Sequence, residues 1–293
     1  VVGDLVGGPQ WTRLQDLPTP LEAAGMDHFE GRVWVAGGVS PNEGRPKLDT
    51  VQVYDPQSRH WSYGPRLPVA VSHASLVSTG KQLFVLGGIS AQGSEAGVYH
   101  LDTATGLWRE DKPLPAARGA GAAVWDGNRL VFAGGVGQDH RASDDVWAME
   151  NGDWHSIGRL QKPREKLAVA TDGYGTVWFL AGRDPNIQSP IYGLVDVVQA
   201  ANVHPGKAVT PLEAPAAVWW PGAGVCLIGG QANDGFSARV DCLDQRSGKR
   251  PYAPLAQPRA GLGATVLDAV VYVAGGYDSG NHGTSLSESY RAA

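Results

Sequence analysis

The sequence is poor in the features that mark several protein classes. Its 293 residues include only two cysteines, two methionines and five phenylalanines, and charged residues make up 18%. Two cysteines cannot staple a disulfide-dense scaffold, and neither stands at a zinc-like spacing from histidine, so no metal is assigned. No apolar run approaches the ~18 residues that cross a bilayer, so no membrane insertion is expected. The start, VVGDLVGGPQW, lacks the basic opening and apolar centre of a signal peptide, and the chain as given reads as soluble. Basic residues are in deficit, 24 against 29 acidic, for a formal charge of −5. That balance excludes a broad grip on a polyphosphate backbone, and no nucleic acid partner is expected.

What is abundant is glycine (40), proline (20) and tryptophan (10), with 42% hydrophobic residues. Such a composition belongs to a globular, turn-rich chain able to bury a core. The length fits one large all-β domain or two ordinary ones, and an internal repeat decides between them. Short apolar runs end in a glycine pair at Gly37 (VWVAGG), Gly87 (LFVLGG), Gly134 (LVFAGG), Gly182 (VWFLAGR), Gly229 (VCLIGG) and Gly275 (VYVAGG). The spacings are 50, 47, 48, 47 and 46 residues. Each run is rich in β-branched or aromatic residues and reads as a strand.

Further strands follow in every unit. One carries VQVYD, GVYHLD, DVWAME, LVDVV, RVDCLD or SESYR, and the next carries Trp61, Trp108, Trp154 or, more weakly, Tyr252 before a proline turn. An apolar stretch ahead of the next glycines, such as SHASLV or GAGAAVW, makes four strands per unit and leaves no room for helices. The diglycine, the downstream aromatic before an acidic residue and the later tryptophan recur in that order, and in this the chain resembles the kelch-repeat family over nearly its whole length. Blade four departs from the pattern, reading AGR with Arg183 in the second glycine's place and no tryptophan near residue 205. The resemblance implies a six-bladed β-propeller, four strands per blade, in one domain. The blades span about 20–65, 66–113, 114–160, 161–210, 211–254 and 255–290, the last completed by 5–17. Trp11 in PQWTRLQDLPTP matches an outermost strand, and the C-terminal unit lacks one, so an N-terminal strand is expected to close the ring.

The glycines and tryptophans are assigned to the scaffold: tight backbone approach near the axis for the former, filling between blades for the latter. Cys226 and Cys242 fall on neighbouring strands, where a suitable register permits a disulfide; the alternative is two buried thiols. A disulfide implies an oxidising compartment, so an extracytoplasmic or secreted location is expected, with a cytoplasmic one as the alternative.

Propellers carry unrelated functions on one scaffold, so function must be read from loops. The resemblance points to the face bearing the inter-blade links and the loops between second and third strands. The links place Arg118, Arg164 and Arg259 at one repeat position, with Leu21, Val71 and Ala216 at the others. These arginines have two readings: forks for a carboxylate or phosphate at the channel mouth, or local pairs with neighbouring acids. The long loops add Asn42, Glu43, Arg45, Asp139, His140, Arg141, Asp184, Asn186, Asn233, Asp234, Asp278, Asn281 and His282. The ligand-binding set is Arg118, Arg164, Arg259, His73, Asp139, Arg183 and Asn233, with no catalytic residue and no cofactor.

Enzymes exist among kelch-like propellers. A copper radical oxidase needs a Tyr–Cys crosslink and paired imidazoles, which this pattern lacks. An iron-dependent specifier protein needs convergent carboxylates, and the acidic loops are scattered. A sugar-acid mutarotase needs an acid/base group beside arginines, for which Glu43, Glu95 and Glu165 are candidates, and it would be an isomerase of an acidic sugar. The favoured reading is a non-enzymatic sensor or adhesion module binding an acidic small molecule, glycan or peptide; a plain protein-interaction platform is the other alternative.

Overall fold

The computed structural model describes residues 10–42, 44–188, 191–244, 248–280 and 282–291. Among them every regular element is a strand. Six antiparallel four-stranded sheets form the blades, each running from an inner strand outward. Blade 1 comprises Gly25–Phe29, Arg32–Ala36, Val51–Asp55 and His60–Tyr63; blade 2, Ser75–Ser78, Leu83–Leu86, Val98–Asp102 and Leu107–Glu110. Blade 3 comprises Ala122–Trp125, Leu130–Ala133, Asp145–Glu150 and Asp153–Arg159; blade 4, Ala168–Thr171, Thr176–Leu180, Val195–Gln199 and Asn202–Pro205. Blade 5 comprises Ala216–Trp220, Gly224–Ile228, Val240–Asp244 and Gly248–Tyr252. Blade 6 is built from Gly263–Leu267, Val270–Ala274 and Ser287–Arg291, and its outer strand is Thr12–Arg13 from the other end of the chain.

The inner strands neighbour one another in blade order, and the sixth returns to the first. Hydrophobic clusters lie between successive blades. Phe29, Trp34 and Val53 of blade 1 meet Leu76, Val85 and Leu101 of blade 2, and equivalent clusters fill the other five seams. The outer-strand tryptophans also latch the seams by hydrogen bonds. Trp108 Nε1 donates to Pro65 O (3.0 Å), Trp154 to Lys112 O (3.2 Å), Trp61 to Gln15 O (2.9 Å) and Trp11 to Ala253 O (2.8 Å). Pro65, Lys112 and Gln15 lie two residues past the preceding blade's outer strand, and Ala253 lies one residue past it. The last latch, with Trp11 against Tyr290 at 5.4 Å, seats the closing strand.

The glycine pairs end the second strands where neighbouring backbones approach. A Cβ on Gly134 (φ 69°) would lie 2.6 Å from Arg164 O in the next link. Blade four corrects the alignment read from sequence. Ala181 (φ 58°) takes the first glycine's place and Gly182 (φ 94°) the second. Arg183 therefore replaces no glycine and occupies the next position, held by Val39, Ile89 and Val136 in blades 1 to 3.

Candidate functional site

The residue two positions ahead of each inner strand has left-handed backbone: Ala23 (φ 54°), His73 (53°), Ala120 (55°), Lys166 (51°), Ala214 (49°) and Gly261 (62°). This conformation costs L-residues roughly 1–2 kcal/mol each, so its recurrence needs a cause. The cause is a closed circuit. His73 N donates to Ala23 O, Ala120 N to His73 O, Lys166 N to Ala120 O, Ala214 N to Lys166 O, Gly261 N to Ala214 O and Ala23 N to Gly261 O, at 2.7 to 3.1 Å. Turning each peptide into this ring satisfies amides that would otherwise point unpaired at the axis. The ring forms the loop-face mouth of the channel and frames a pocket of about 120 Å³.

Backbone symmetry is not matched by the side chains. Of the six ring residues only His73 and Lys166 carry more than a methyl group. The preceding positions hold Glu22, Ser72, Gly119, Glu165, Glu213 and Ala260, bridged to Val39, Ile89, Val136, Arg183, Gln231 and Tyr277. Charge thus gathers on blades 4, 5 and 1, with Tyr277 on blade 6 and Ser72 and His73 on blade 2, while blade 3 presents Gly119, Ala120 and Val136. Arg183 Nε donates to Glu165 at 2.9 Å and its Nη1 reaches Glu213 at 3.4 Å. Lys166 Nζ pairs with Glu213 at 2.5 Å, and Arg45 pairs with Glu22.

The carboxylates form the inner layer and the cations the outer one. Glu22, Glu165 and Glu213 are buried, whereas the side chains of Lys166, Arg183 and Arg45 are 19%, 31% and 43% exposed. Burial, helped by Lys166, Lys47, Arg183 and Arg45, lowers His73 to a pKa of about 3 and keeps its imidazole neutral. Tyr277 leans on Gly261, where a Cβ would meet its ring at 2.7 Å. Burial first, then Glu213, raises its phenol to about 12, so it remains a donor. Glu22 Oε2 is buried without a hydrogen-bond partner.

The three link arginines do not converge on this mouth; each is turned into its own blade. Arg164 is fully buried against Asp196 (2.7 Å), and Arg259 is 1% exposed against Glu288 (2.7 Å). Arg118 pairs with Asp145 (2.8 Å) and lies 5.0 Å over the Trp147 ring. The local-pair reading describes these contacts, because a third-strand carboxylate lies within reach in all three blades. The equivalent position in blade 5 is Leu212, not Ala216: both Arg259 and Leu212 stand two residues ahead of a ring residue.

Of the other residues singled out in the sequence, His73 and Arg183 reach the mouth. Asp139 accepts from the Arg141 amide (3.1 Å) within its own exposed loop, and Asn233 is exposed between the short strands Gln231–Ala232 and Gly235–Phe236. Glu165 is engaged by Arg183 and Glu95 by Ser90, while Glu43 and Asn281 lie outside the described residues. Glu22, Lys166, Glu213, Gln231 and Tyr277 escaped the sequence reading. Their signal was positional: they stand one or two residues past the link position, or directly after the glycine pair. Among the described residues no group of three or more His, Cys, Asp or Glu is arranged for a metal, and no helix is long and apolar enough to cross a membrane.

Comparisons with known proteins agree with this architecture. The family signature described as Kelch motif matches residues 23–68. Mouse Kelch-like protein 40 is 28% identical over 177 residues, covering 59% of this chain and 28% of that protein. Mouse Kelch-like protein 38 is 27% identical over 237 residues, covering 77% and 39%, and Beta-scruin of Limulus polyphemus is 23% identical over 177 residues, covering 56% and 19%. The chain thus spans well under half the length of these relatives. The solved structure of YjhT superposes with a TM-score of 0.79 at 14% identity, over 94% of this chain and 95% of that one, a likeness of fold. The repeats, the matched motif and these relatives support a kelch-repeat chain, and its six four-stranded blades form a β-propeller.

Proposed function

We propose that this propeller is a recognition module whose loop-face mouth takes an acidic side chain or terminal carboxylate from a peptide segment of a protein partner. The observation that carries this reading is the layering of the mouth: buried Glu22, Glu165 and Glu213 hold Arg45, Arg183 and Lys166 outward, so an approaching anion meets oriented donors first. The pocket volume favours a side chain over a whole ligand. At about 120 Å³ it is well below the ~300–1,000 Å³ of small-molecule sites. Kelch-like relatives support a protein partner. An isomerase is less well supported, because Glu165 is held by an arginine rather than left free to exchange protons. The Cys226–Cys242 disulfide favours an oxidising, extracytoplasmic setting, as for a sensor or adhesion module.

The test is fluorescence anisotropy with labelled acidic, neutral and basic peptides of equal length, at two salt concentrations. The acidic peptide is expected to bind and to weaken as salt rises. Equal binding of all three, or preference for the basic one, rejects the proposal.

A further inference from the structure

The inner strands run from the mouth ring toward the opposite face, so residues three to five places beyond each ring residue line the channel's other end. They enclose a second cavity of about 390 Å³. One level of its wall is His28, Ser78, Trp125, Thr171, Trp219 and Val266, one residue from each blade in order. The blade order sets Trp125 and Trp219 on either side of Thr171, with His28 across the channel. Trp178 stacks on Trp219 at 5.2 Å with ring planes 12° apart, which fixes that indole.

The mouth pairs carboxylates with cations, whereas the chamber carries carboxylates, Asp27 and Asp172, without lysine or arginine beside them among the described residues. Asp27 accepts from the Ser78 amide (2.7 Å) and the Thr265 hydroxyl (3.0 Å), so hydrogen bonds from blades 2 and 6 hold it in place. Asp172 is fixed across the channel by the amides of Tyr174 (2.8 Å) and Thr176 (3.1 Å). The His28 side chain is 45% exposed, so solvent reaches the chamber. Its imidazole is shifted upward chiefly by the hydrogen bond to Asp27, a sign that this wall favours positive charge. At the rim, on the turn that begins with Asp172, Tyr174 stands 94% exposed.

We propose that this chamber is a second binding site, for an organic ammonium ion held between Trp125 and Trp219 with Asp27 and Asp172 as counter-charges. Indole faces attract alkylammonium groups through the ring quadrupole, and desolvation in a cavity strengthens that attraction. The volume lies within the ~300–1,000 Å³ of small-ligand sites. A neutral sugar also stacks on indole and can donate its hydroxyls to carboxylates, but it brings no charge to set against theirs, and an anion is repelled by them. The site is independent of the mouth and stands or falls separately.

Choline and its uncharged carbon analogue 3,3-dimethylbutan-1-ol are the probes, followed by ¹⁵N NMR of the tryptophan indoles, with Trp125→Phe and Trp219→Phe assigning the signals. Choline is expected to shift the Trp125 and Trp219 signals saturably and to bind about tenfold more tightly than the alcohol, a difference of about 1.4 kcal/mol. Asp172→Asn retains the acceptor oxygen of the turn and is expected to weaken choline about threefold without changing Tm. Equal affinity for the two probes, shifts confined to other tryptophans, or no saturable shift overturns the proposal. The comparison of the probes on the unaltered protein decides even if the aspartate variant folds poorly.

Discussion

Arg164→Met removes a guanidinium that is fully buried and leaves Asp196, itself 1% exposed, without its counter-charge. Breaking such a pair from one side costs about 3–5 kcal/mol, mostly the desolvation of the remaining ion. With ~2.1 cal/mol/K of unfolding entropy per residue, 293 residues give about 0.6 kcal/mol/K, so Tm should fall by about 5–8 °C. The pair itself is imperfectly satisfied: Arg164 Nε lacks a hydrogen-bond partner. Neutralising both ends should therefore restore most of the loss. Asp196→Asn is the suitable second change, because its Oδ1 still accepts the Gln161 amide at 3.0 Å. Scanning calorimetry of the single and double variants is the assay. An unchanged Tm in the single variant, or a double variant no more stable than the single, refutes the assignment of these arginines to the blade interior.

Three other outcomes follow from the structure. His73 stays neutral in the folded protein down to about pH 3, whereas the unfolded chain binds its proton near 6.5. Its contribution is therefore complete above pH 6.5 and is lost as pH falls toward 3, by at most about 1.4 kcal/mol per unit; urea midpoints at pH 7 and 4.5 should differ less for His73→Asn than for the parent. Cys226 and Cys242 sit opposite each other in register, closing a separation of 16 residues, a constraint worth about 3 kcal/mol. Alkylation in denaturant without reductant should label neither, and labelling of both would refute the bond. Deletion through residue 17 exposes the Ser287–Arg291 edge and removes the Gln15 carbonyl that Trp61 uses; light scattering should then show concentration-dependent association, and a stable monomer would contradict the clasp.

The propeller was legible because its repeat is written in backbone-determining residues. Glycine pairs, outer-strand tryptophans and the orphan strand around Trp11 each have one geometric role, and spacing alone counts the blades. The mouth was less legible, because its side chains depend on a register that sequence fixes only to within a residue or two. Reading Arg183 as a replaced glycine came from aligning AGR on its visible glycine, when Ala181 adopts the left-handed turn instead. Arginine in the links drew attention by its chemistry, yet a shift of two residues separates Arg164, buried in the blade, from Lys166, on the ring. No periodicity reports which way such neighbours point. Only the peptide circuit around the axis does.

The central claim is that binding charge resides on the ring and beside it, not in the link arginines. Calorimetric titration of one acidic peptide into the parent, Lys166→Met and Arg164→Met/Asp196→Asn tests it most directly. Loss of one charge-assisted contact of ~1.5–3 kcal/mol predicts at least about tenfold weaker binding for Lys166→Met. The buried-pair variant should bind within about twofold of the parent. Undiminished affinity in Lys166→Met, with affinity lost in the buried-pair variant at unchanged fold, would contradict the account.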